Sequence, residues 1–571
     1  MEACDASIPY TLLGFLLQGG GDRPPANFCS SAAPGGQGFL KDYVARGTNA
    51  LLWISLISVT FLLFRKLARL VGFWAKGSRI PGPPSPSFFG HSKLIAGCGS
   101  GANLTGYLSK LHESYGPIVR LWLGPTQLLV SLKDTTLIKD VLVQAEDKLP
   151  LTGRAFHLAF GRLSLFVSSF RKVQKRRESL EAYLNGKLAE RANMISWKVV
   201  ECVMGRVDTI MAKGILDCRS VSQHMAFYTL GVGLFGDAFL DWSEAATYEE
   251  LLLMIAKNGC FWASYRIPPF WRRGYWKYRS LCMRLQCLTQ DIIQRSLGQI
   301  NQDSCKRTSD TGREAGADGT VLLDNTRSRG LFQEEIEEDV ISKEEACANM
   351  LGLMFHGCLA TASLIHSILT WLVLNPELQE KSYSEIVRVW GRTSGPDSLE
   401  VQKMHFLLAT VYESARLLPA GPLLQRCSLK HDLILNSSIT LPAGAMLVVP
   451  LQLLQMDDSI WGKDASHFNP HRFLSKAIDH GGTFEEHEKH EECPFISEPN
   501  KSAAFLPFGA GARACIGQKF AIHGISALLA YLLQNYEMRL KPDFENNSKP
   551  TVHDCLLQLQ ASPKVVFARR N

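Results

Sequence analysis

Pro507-Phe508-Gly509-Ala510-Gly511-Ala512-Arg513-Ala514-Cys515-Ile516-Gly517 is the stretch that decides how the rest of this chain is read. Three glycines within nine residues let backbone approach something flat and large without Cβ obstruction. Arg513 places a cation two residues before Cys515, suited to a carboxylate. A helix is expected to begin at Gln518 and run to about Asn535. Backbone N–H groups at its start, and the positive end of its dipole, favour a thiolate over a thiol. A thiolate presented this way is ready to bind a metal. The plain alternative is a glycine-rich turn with an incidental cysteine. Against it, Phe508, Gly509, Gly511, Arg513, Cys515 and Gly517 all fall at fixed offsets.

Those offsets resemble the haem-binding loop of the cytochrome P450 family, with every signature position filled. In that family the cysteine thiolate is the proximal iron ligand, and its electron donation favours O–O cleavage. The resemblance implies that Cys515 ligates the iron of a haem b, with Phe508 and Gly517 in the same loop and Arg513 on a propionate. Other segments agree in order. Glu413-Ser414-Ala415-Arg416 resembles the family's ExxR helix, whose i, i+3 spacing puts both side chains on one face. Pro470-His471-Arg472-Phe473 resembles the motif whose arginine completes that network. The resemblance implies that Glu413, Arg416 and Arg472 form a buried ion cluster supporting the haem loop, and that Arg426 holds a second propionate. It covers about residues 80 to 570.

The bulk numbers set the outer limits. At 571 residues and 46 % hydrophobic, the chain can bury a substantial core. Length alone would argue for about three or four domains; the resemblance replaces them with one large domain. A net charge of +7 is a mild basic excess, and no zinc-finger spacing or compact basic stripe supports a nucleic-acid partner. The 15 cysteines are scattered without CxxC pairs, which reads as cytosolic thiols rather than a disulfide framework.

Residues 50–64, ALLWISLISVTFLLF, form the most apolar early segment, and with Gly47 to Asn49 they are just long enough to span a bilayer. Arg65, Lys66, Arg69, Lys76 and Arg79 follow it, against Lys41 and Arg46 before it. The positive-inside bias puts everything after Phe64 in the cytosol. The expected organisation is an N-terminal extension of unknown role over 1–46, an anchor over 47–64, a basic and Pro-rich hinge over 65–86, and a catalytic domain over 87–571. The extension is either an extra lumenal segment or a targeting segment.

GPIVRLWLG (116–124) and TQLLVSL (126–132) read as two strands of a hairpin turning at Gly124-Pro125. Helical patterns then dominate to about residue 300. Asn301 to Thr326 and Asp479 to Lys501 read as polar loops; the second holds His480, His487, His490 and Cys493 without a known ligand spacing. Residues 349–374 are apolar almost all round, so they form either a buried core helix or a second membrane span. His356 and His366 favour the core.

That helix departs from the family pattern. The family's central helix normally carries Ala/Gly-Gly-x-Asp/Glu-Thr-Thr. Counting 19 residues back from Pro376 puts Gly357 on the motif's glycine, His356 on a small residue, Leu359 on the acid and Ala360 on the first threonine. Thr361 fills the second. The missing acid and alcohol normally relay protons during oxygen activation. Water, Thr361 or Ser363 can replace them in an ordinary monooxygenase. Alternatively the enzyme is a reductase-independent hydroperoxide isomerase or dehydratase, or a non-catalytic haem-binding protein. His356 reads either as a distal ligand or proton donor, or as a histidine packed beside the haem edge. A second departure lies at 170–177, FRKVQKRR. The family's Trp-x-x-x-Arg is here Phe170 and Gln174, leaving Arg171 or Lys175 as substitutes for the propionate contact.

The expectation is a mainly α protein with small β-sheets, a cytochrome P450-like single catalytic domain behind an N-terminal transmembrane anchor in the endoplasmic reticulum. It would insert one oxygen atom of dioxygen into an apolar or amphipathic small molecule. Electrons would come from NADPH through a flavoprotein reductase, since no dinucleotide fingerprint follows a strand here. His356, Gly357, Ala360 and Thr361 would line the distal side.

Overall fold

The protein is described here from a computed structural model, which covers residues 37–92, 101–147, 156–161, 163–167, 170–211, 216–263, 269–310, 343–391, 400–421, 423–428, 431–435, 439–474, 504–540, 552–553, 558–559 and 564–570. The expected extension lies largely outside these residues, as does the His- and Glu-rich loop from Asp479 to Lys501.

The chain divides into two units, residues 1–71 and 72–571. Helix α1 (Gln37–Ser78) carries the expected anchor, and its apolar side chains are exposed, Leu51 by 67 % and Phe64 by 69 %. Its stretch from Arg46 to Ser78 is long and apolar enough to cross a membrane. The helix continues past Phe64 through the basic residues Arg65 to Lys76 and ends at Ser78, before Pro81. Lys and Arg are good helix formers and nothing between Phe64 and Ser78 breaks the helix; closely spaced prolines do.

In the second unit, α2 (Gly101–Tyr115) precedes β1 (Ile118–Trp122) and β2 (Leu128–Leu132), the expected antiparallel hairpin, with Ile118 opposite Leu132. Helix α3 (Thr135–Gln144) begins at Asp134, whose carboxylate accepts from the N–H groups of Thr136 at 2.8 Å and Leu137 at 3.0 Å. Its buried face is Leu137, Ile138, Val141 and Leu142. Helix α4 (Phe170–Tyr183) runs directly into a π turn, Leu184–Leu188, followed by α5 (Ala192–Met211). A short strand, β3 (Leu216–Asp217), leads into α6 (Cys218–Phe235), and α7 (Ala245–Ala263) and α8 (Arg273–Asp310) follow. The loop expected from Asn301 is therefore helical as far as Asp310; its remainder lies outside the described residues.

Helix α9 (Lys343–Leu374) packs on α6, α8 and α11 and is buried over most of its length, so it is the core helix and not a second span. Asn375 sits at the start of α10 (Pro376–Trp390), with Pro376 in the first turn where its missing N–H costs nothing. Helix α11 (His405–Leu417) is buried on nearly every side. Beyond it come β4 (Leu423–Arg426), β5 (Leu433–Leu435), β6 (Ile439–Leu441) and β7 (Met446–Pro450). Strands β1, β2, β7 and β4 form one sheet in that order, β2 and β7 parallel, with Arg426 opposite Leu447. Helix α12 (Leu451–Gln455), α13 (Asp458–Trp461) and a 3-10 turn at Pro470–Phe473 precede the glycine-rich loop.

Helix α14 (Gln518–Asn535) has the expected bounds. Leu528, Leu529, Leu532 and Leu533 are fully buried against α5, α10 and α11, each contributing about 1.5–3 kcal/mol. Strands β8 (Tyr536–Leu540), β9 (Val552–His553), β10 (Gln558–Leu559) and β11 (Lys564–Arg569) complete the chain, β11 pairing with both β3 and β8. The fold is mainly helical with small sheets, as the sequence implies.

Candidate cofactor-binding site

The loop around Cys515 is closed on itself by main-chain hydrogen bonds. Gly509 N–H donates to Leu506 O at 3.0 Å, Ala514 N–H to Gly511 O at 2.9 Å, and Cys515 N–H to Phe508 O at 2.8 Å. These turns need the left-handed region at Gly509 (φ 67°) and Gly511 (φ 69°). At Gly511 space adds a second constraint. A Cβ there would lie 2.2 Å from the carbonyl oxygen of Leu142 on α3. Helix α3 thus abuts the loop backbone so closely that only glycine fits. Cys515 follows, exposed, three residues before the first residue of α14.

Arginines converge on this loop. Arg426 is 2 % exposed at the end of β4; its Nη1 donates to Gln425 O at 2.9 Å and its Nη2 to Ala510 O at 3.2 Å, while the buried Nε has no partner among the described residues. Arg513 is 8 % exposed; its Nε donates to Glu146 O at 3.1 Å, and its guanidinium lies over the Phe170 ring at 5.3 Å. Asp147 stands 3.9 Å from Arg513, too far for a tight pair. Burial lowers both guanidinium pKa values to about 10. The Arg513 and Arg177 charges add to this at Arg426, and the Arg177 charge at Arg513. Crowded, buried cations with so little carboxylate nearby are costly unless an anion joins them.

Arg177 answers the question raised at Gln174. Gln174 faces outward and donates to Glu178 at 3.0 Å, and Lys175 is exposed. The Arg171 side chain lies outside the described residues. Arg177, three residues beyond Gln174 and half-buried, reaches the loop and donates to Ala514 O. Of the described side chains in this cluster, it is Arg177 that touches the loop. The signal that would have found it is the i+3 spacing from the position where the family has arginine.

Behind the loop, Glu413 and Arg416 are fully buried and doubly hydrogen-bonded, at 2.7 and 2.8 Å. Arg416 Nη1 also donates to Gln455 O at 2.5 Å and Ala465 O at 2.7 Å. Arg472 Nε reaches Glu413 at 3.3 Å, and its terminal nitrogens donate to Trp461 O at 2.8 Å and Asp464 O at 2.6 Å. Asn469 N–H gives Glu413 one more donor at 2.8 Å. The three residues that the sequence groups together are one connected network.

On α9, residues 356–363 break the pattern of burial: His356, Gly357, Leu359, Ala360, Thr361 and Ser363 are half-buried within an otherwise buried helix. Gly357 backs onto α6, where a Cβ would meet Leu230 Cδ1 at 2.6 Å. The His356 ring is surrounded by phenylalanines, its centroid 5.7 Å from Phe156, 5.5 Å from Phe160, 4.9 Å from Phe166 and 5.3 Å from Phe355. It is packed in an aromatic cluster whose members no sequence periodicity pointed to.

An exposed thiol beside a helix start, two glycines that let backbone close in, and buried guanidinium groups in excess of carboxylate together fit a flat dianionic metal-bearing group. Haem has that chemistry. Cys515 would hold its iron; Arg426 and Arg513, with Arg177 nearby, would meet its propionates.

Comparison with known proteins agrees. The family model for cytochrome P450 matches residues 80–567. The chain is 23 % identical to a probable cytochrome P450 313a4 of Drosophila melanogaster over 532 residues, covering 91 % of this chain and 99 % of that protein. It is 25 % identical to a cytokinin hydroxylase of Arabidopsis thaliana over 456 residues, 76 % of this chain and 78 % of that one. Similarity to cytochrome P450 734A5 of Oryza sativa is 34 % but spans 184 residues, 32 % of this chain and 31 % of the rice protein.

Proposed function

Since the chain belongs to the cytochrome P450 family, an oxidoreductase family of monooxygenases, we propose that it is a membrane-anchored haem-thiolate monooxygenase. Its substrate would be an apolar or amphipathic small molecule and its electrons would come from NADPH through a separate flavoprotein reductase. The observation that carries this reading is the exposed Cys515 at the start of α14, set among the buried guanidinium groups of Arg426 and Arg513. A haem b bound there supplies one-electron and oxygen chemistry that no side chain can.

The protein's own residues do the rest. Cys515 would hold the iron through its sulfur, and the start of α14 would favour its thiolate form. Glu413, Arg416 and Arg472 tie α11 to the segment from Gln455 to Arg472, a framework that would support the loop from behind. On the distal side, Leu359 and Ala360 supply no proton. Thr361 and Ser363 supply hydroxyls on that half-buried face and, with water, would carry the protons the chemistry needs. The aromatic cluster of Phe156, Phe160, Phe166 and Phe355 gives the same side an apolar, dry wall. The exposed Lys172 and Lys175 on α4 offer charge for an acidic redox partner, and α1 supplies the anchor for an endoplasmic reticulum location with the body in the cytosol.

The test is the carbon monoxide difference spectrum, recorded after reduction by NADPH plus reductase and again after chemical reduction. A thiolate-type Soret band under both conditions is the expected result. The band after chemical reduction alone would favour a hydroperoxide isomerase or dehydratase, the reading to which Leu359 and Ala360 lend support. No such band under either condition would overturn thiolate ligation by Cys515.

A further inference from the structure

The carbonyls on either side of Cys515 are each held by a side chain from one helical segment. Arg177 on α4 donates to Ala514 O, and Asn185 in the following π turn donates through Nδ2 to Ile516 O at 3.0 Å. Asn185 also accepts, through Oδ1, from Lys519 N–H at 3.1 Å. Gly517 makes no side-chain cap for α14, so Asn185 supplies from another element the cap that the helix lacks in its own sequence.

The π turn is what lets one segment do both. Eight residues separate Arg177 from Asn185, which in a regular α-helix places them about 80° apart. A π turn winds fewer degrees per residue, so Asn185, second in the turn, comes round toward the Arg177 face. The same turn puts Leu184 Cδ1 within 3.8 Å of where a Cβ on Gly517 would stand. Planar peptides fix the consequence, because C=O and N–H point in opposite directions across a trans bond. Drawing Ala514 O toward Arg177 turns the Cys515 N–H to Phe508 O, the 2.8 Å bond already described. Drawing Ile516 O toward Asn185 turns the Gly517 N–H the opposite way, into the loop.

We propose that Arg177 and Asn185 are positioning residues that clamp the Cys515 loop and set how strongly its sulfur donates to the iron. Arg177 does so with a charge as well as a hydrogen bond. Burial lowers its pKa, while the negative charges of Glu181 and of a Cys515 thiolate oppose that fall. A cation this near withdraws electron density from the thiolate and favours the more reduced metal. This inference rests on thiolate ligation by Cys515, and the wild-type spectrum tests that separately.

The experiment compares the full-length haem-loaded protein with R177Q, R177K, N185A and R176Q. It reads the ferric/ferrous midpoint potential by dithionite titration with mediators, and the rate at which the thiolate-type carbon monoxide band converts to the thiol type on mild warming. R177Q should shift the potential negative and speed conversion several-fold; R177K should restore the potential. N185A should speed conversion with a smaller change in potential. R176Q carries the same charge change on an arginine that instead pairs with Glu345, and its potential should match wild type. If R177Q fails to retain haem, R177K and N185A decide through the conversion rate. Wild-type potential and conversion in R177Q, or wild-type conversion in both R177K and N185A when R177Q is lost, would overturn the clamp. A potential shift in R176Q equal to that in R177Q would overturn the local charge effect. A wild type with no thiolate band would instead remove the haem-thiolate reading itself.

Discussion

Arg416 and Glu413 lie side by side in the interior with no exposed surface, joined by hydrogen bonds of 2.7 and 2.8 Å, one helical turn apart on α11. The remaining N–H groups of Arg416 go to Gln455, Ala465 and His467, and Glu413 accepts in addition from Asn469 and Arg472. Removing one partner strands the other charge in the core, which costs about 3–5 kcal/mol. R416L is therefore expected to abolish haem retention, measured as the haem-to-protein ratio after gel filtration. R416K keeps the charge but cannot reproduce the planar fork, and should retain haem only partly. Full haem occupancy in R416L would show that the network is not needed to hold the loop.

Two loop glycines separate strain from collision. Gly509 and Gly511 share a φ near 70°, but at Gly509 an added Cβ stands 3.5 Å from Leu424, ordinary contact, whereas at Gly511 it meets a backbone oxygen at 2.2 Å. G509A should cost about 1–2 kcal/mol through conformation alone. G511A must also push α3 away from the loop, and should lower the thermal midpoint further and lose haem first. Equal effects in thermal scans would refute the collision.

Restoring the family's distal pair tests the proton route. With Leu359 and Ala360 supplying no proton, the double variant L359E/A360T should lower hydrogen peroxide released per NADPH consumed, in the presence of reductase, several-fold. An unchanged ratio would mean that Thr361, Ser363 and water already deliver protons fast enough.

His356 should not ligate iron. Its ring is packed against four phenylalanines at centroid distances of 4.9–5.7 Å. H356F should leave the axial ligation seen in the ferric spectrum unchanged. A change of spin state, or the appearance of a new ligand band, would mean that the imidazole reaches the metal.

His366 predicts a pH dependence. It is 4 % exposed on α9 with both ring nitrogens buried and lacking a well-formed hydrogen bond. Burial lowers its pKa to about 4; the Arg219 charge adds to this and a marginal approach to the Cys218 backbone opposes it. The unfolded chain takes up the proton first, near 6.5, the ordinary value for histidine. Stability from this site is therefore complete above that pH and falls as pH drops from 6.5 toward 4, by up to about 3 kcal/mol. In denaturant titrations the loss over that window should shrink in H366Q relative to wild type. Parallel losses would assign the acid sensitivity to other groups.

Much of the site was legible in order and spacing. The glycine-rich loop, the i, i+3 pair at Glu413 and Arg416, and Arg472 beyond them are local patterns whose chemistry is carried by residue type, and the structure joins Glu413, Arg416 and Arg472 by hydrogen bonds. The start and end of α14 were equally local, because the glycines stop one state and the apolar run sustains the other. What was not legible was anything requiring two distant segments to meet. The aromatic surroundings of His356 come from residues nearly 200 positions earlier as well as from its own helix. Arg177 was hidden in a cluster of five cations that composition alone cannot rank, since only the way α4 lies on the loop brings its side chain to Ala514.

The amino-acid sequence by itself determined the family, which cysteine is the candidate sulfur ligand, and that Leu359 and Ala360 stand where the family has an acid and an alcohol, because each depends on which residue occupies a fixed offset. It also determined an apolar helix long enough for an anchor, though not its end, because good helix formers carried it past Phe64 to Ser78. Tertiary structure alone decided that the 349–374 stretch is a core helix, that Gly511 is fixed by Leu142, and that Arg177 and Asn185 flank Cys515. The reason is physical: periodicity reports which face of a segment is apolar, while close approach, shared hydrogen bonds and burial of charge exist only once α3, α4 and α14 are packed around one loop.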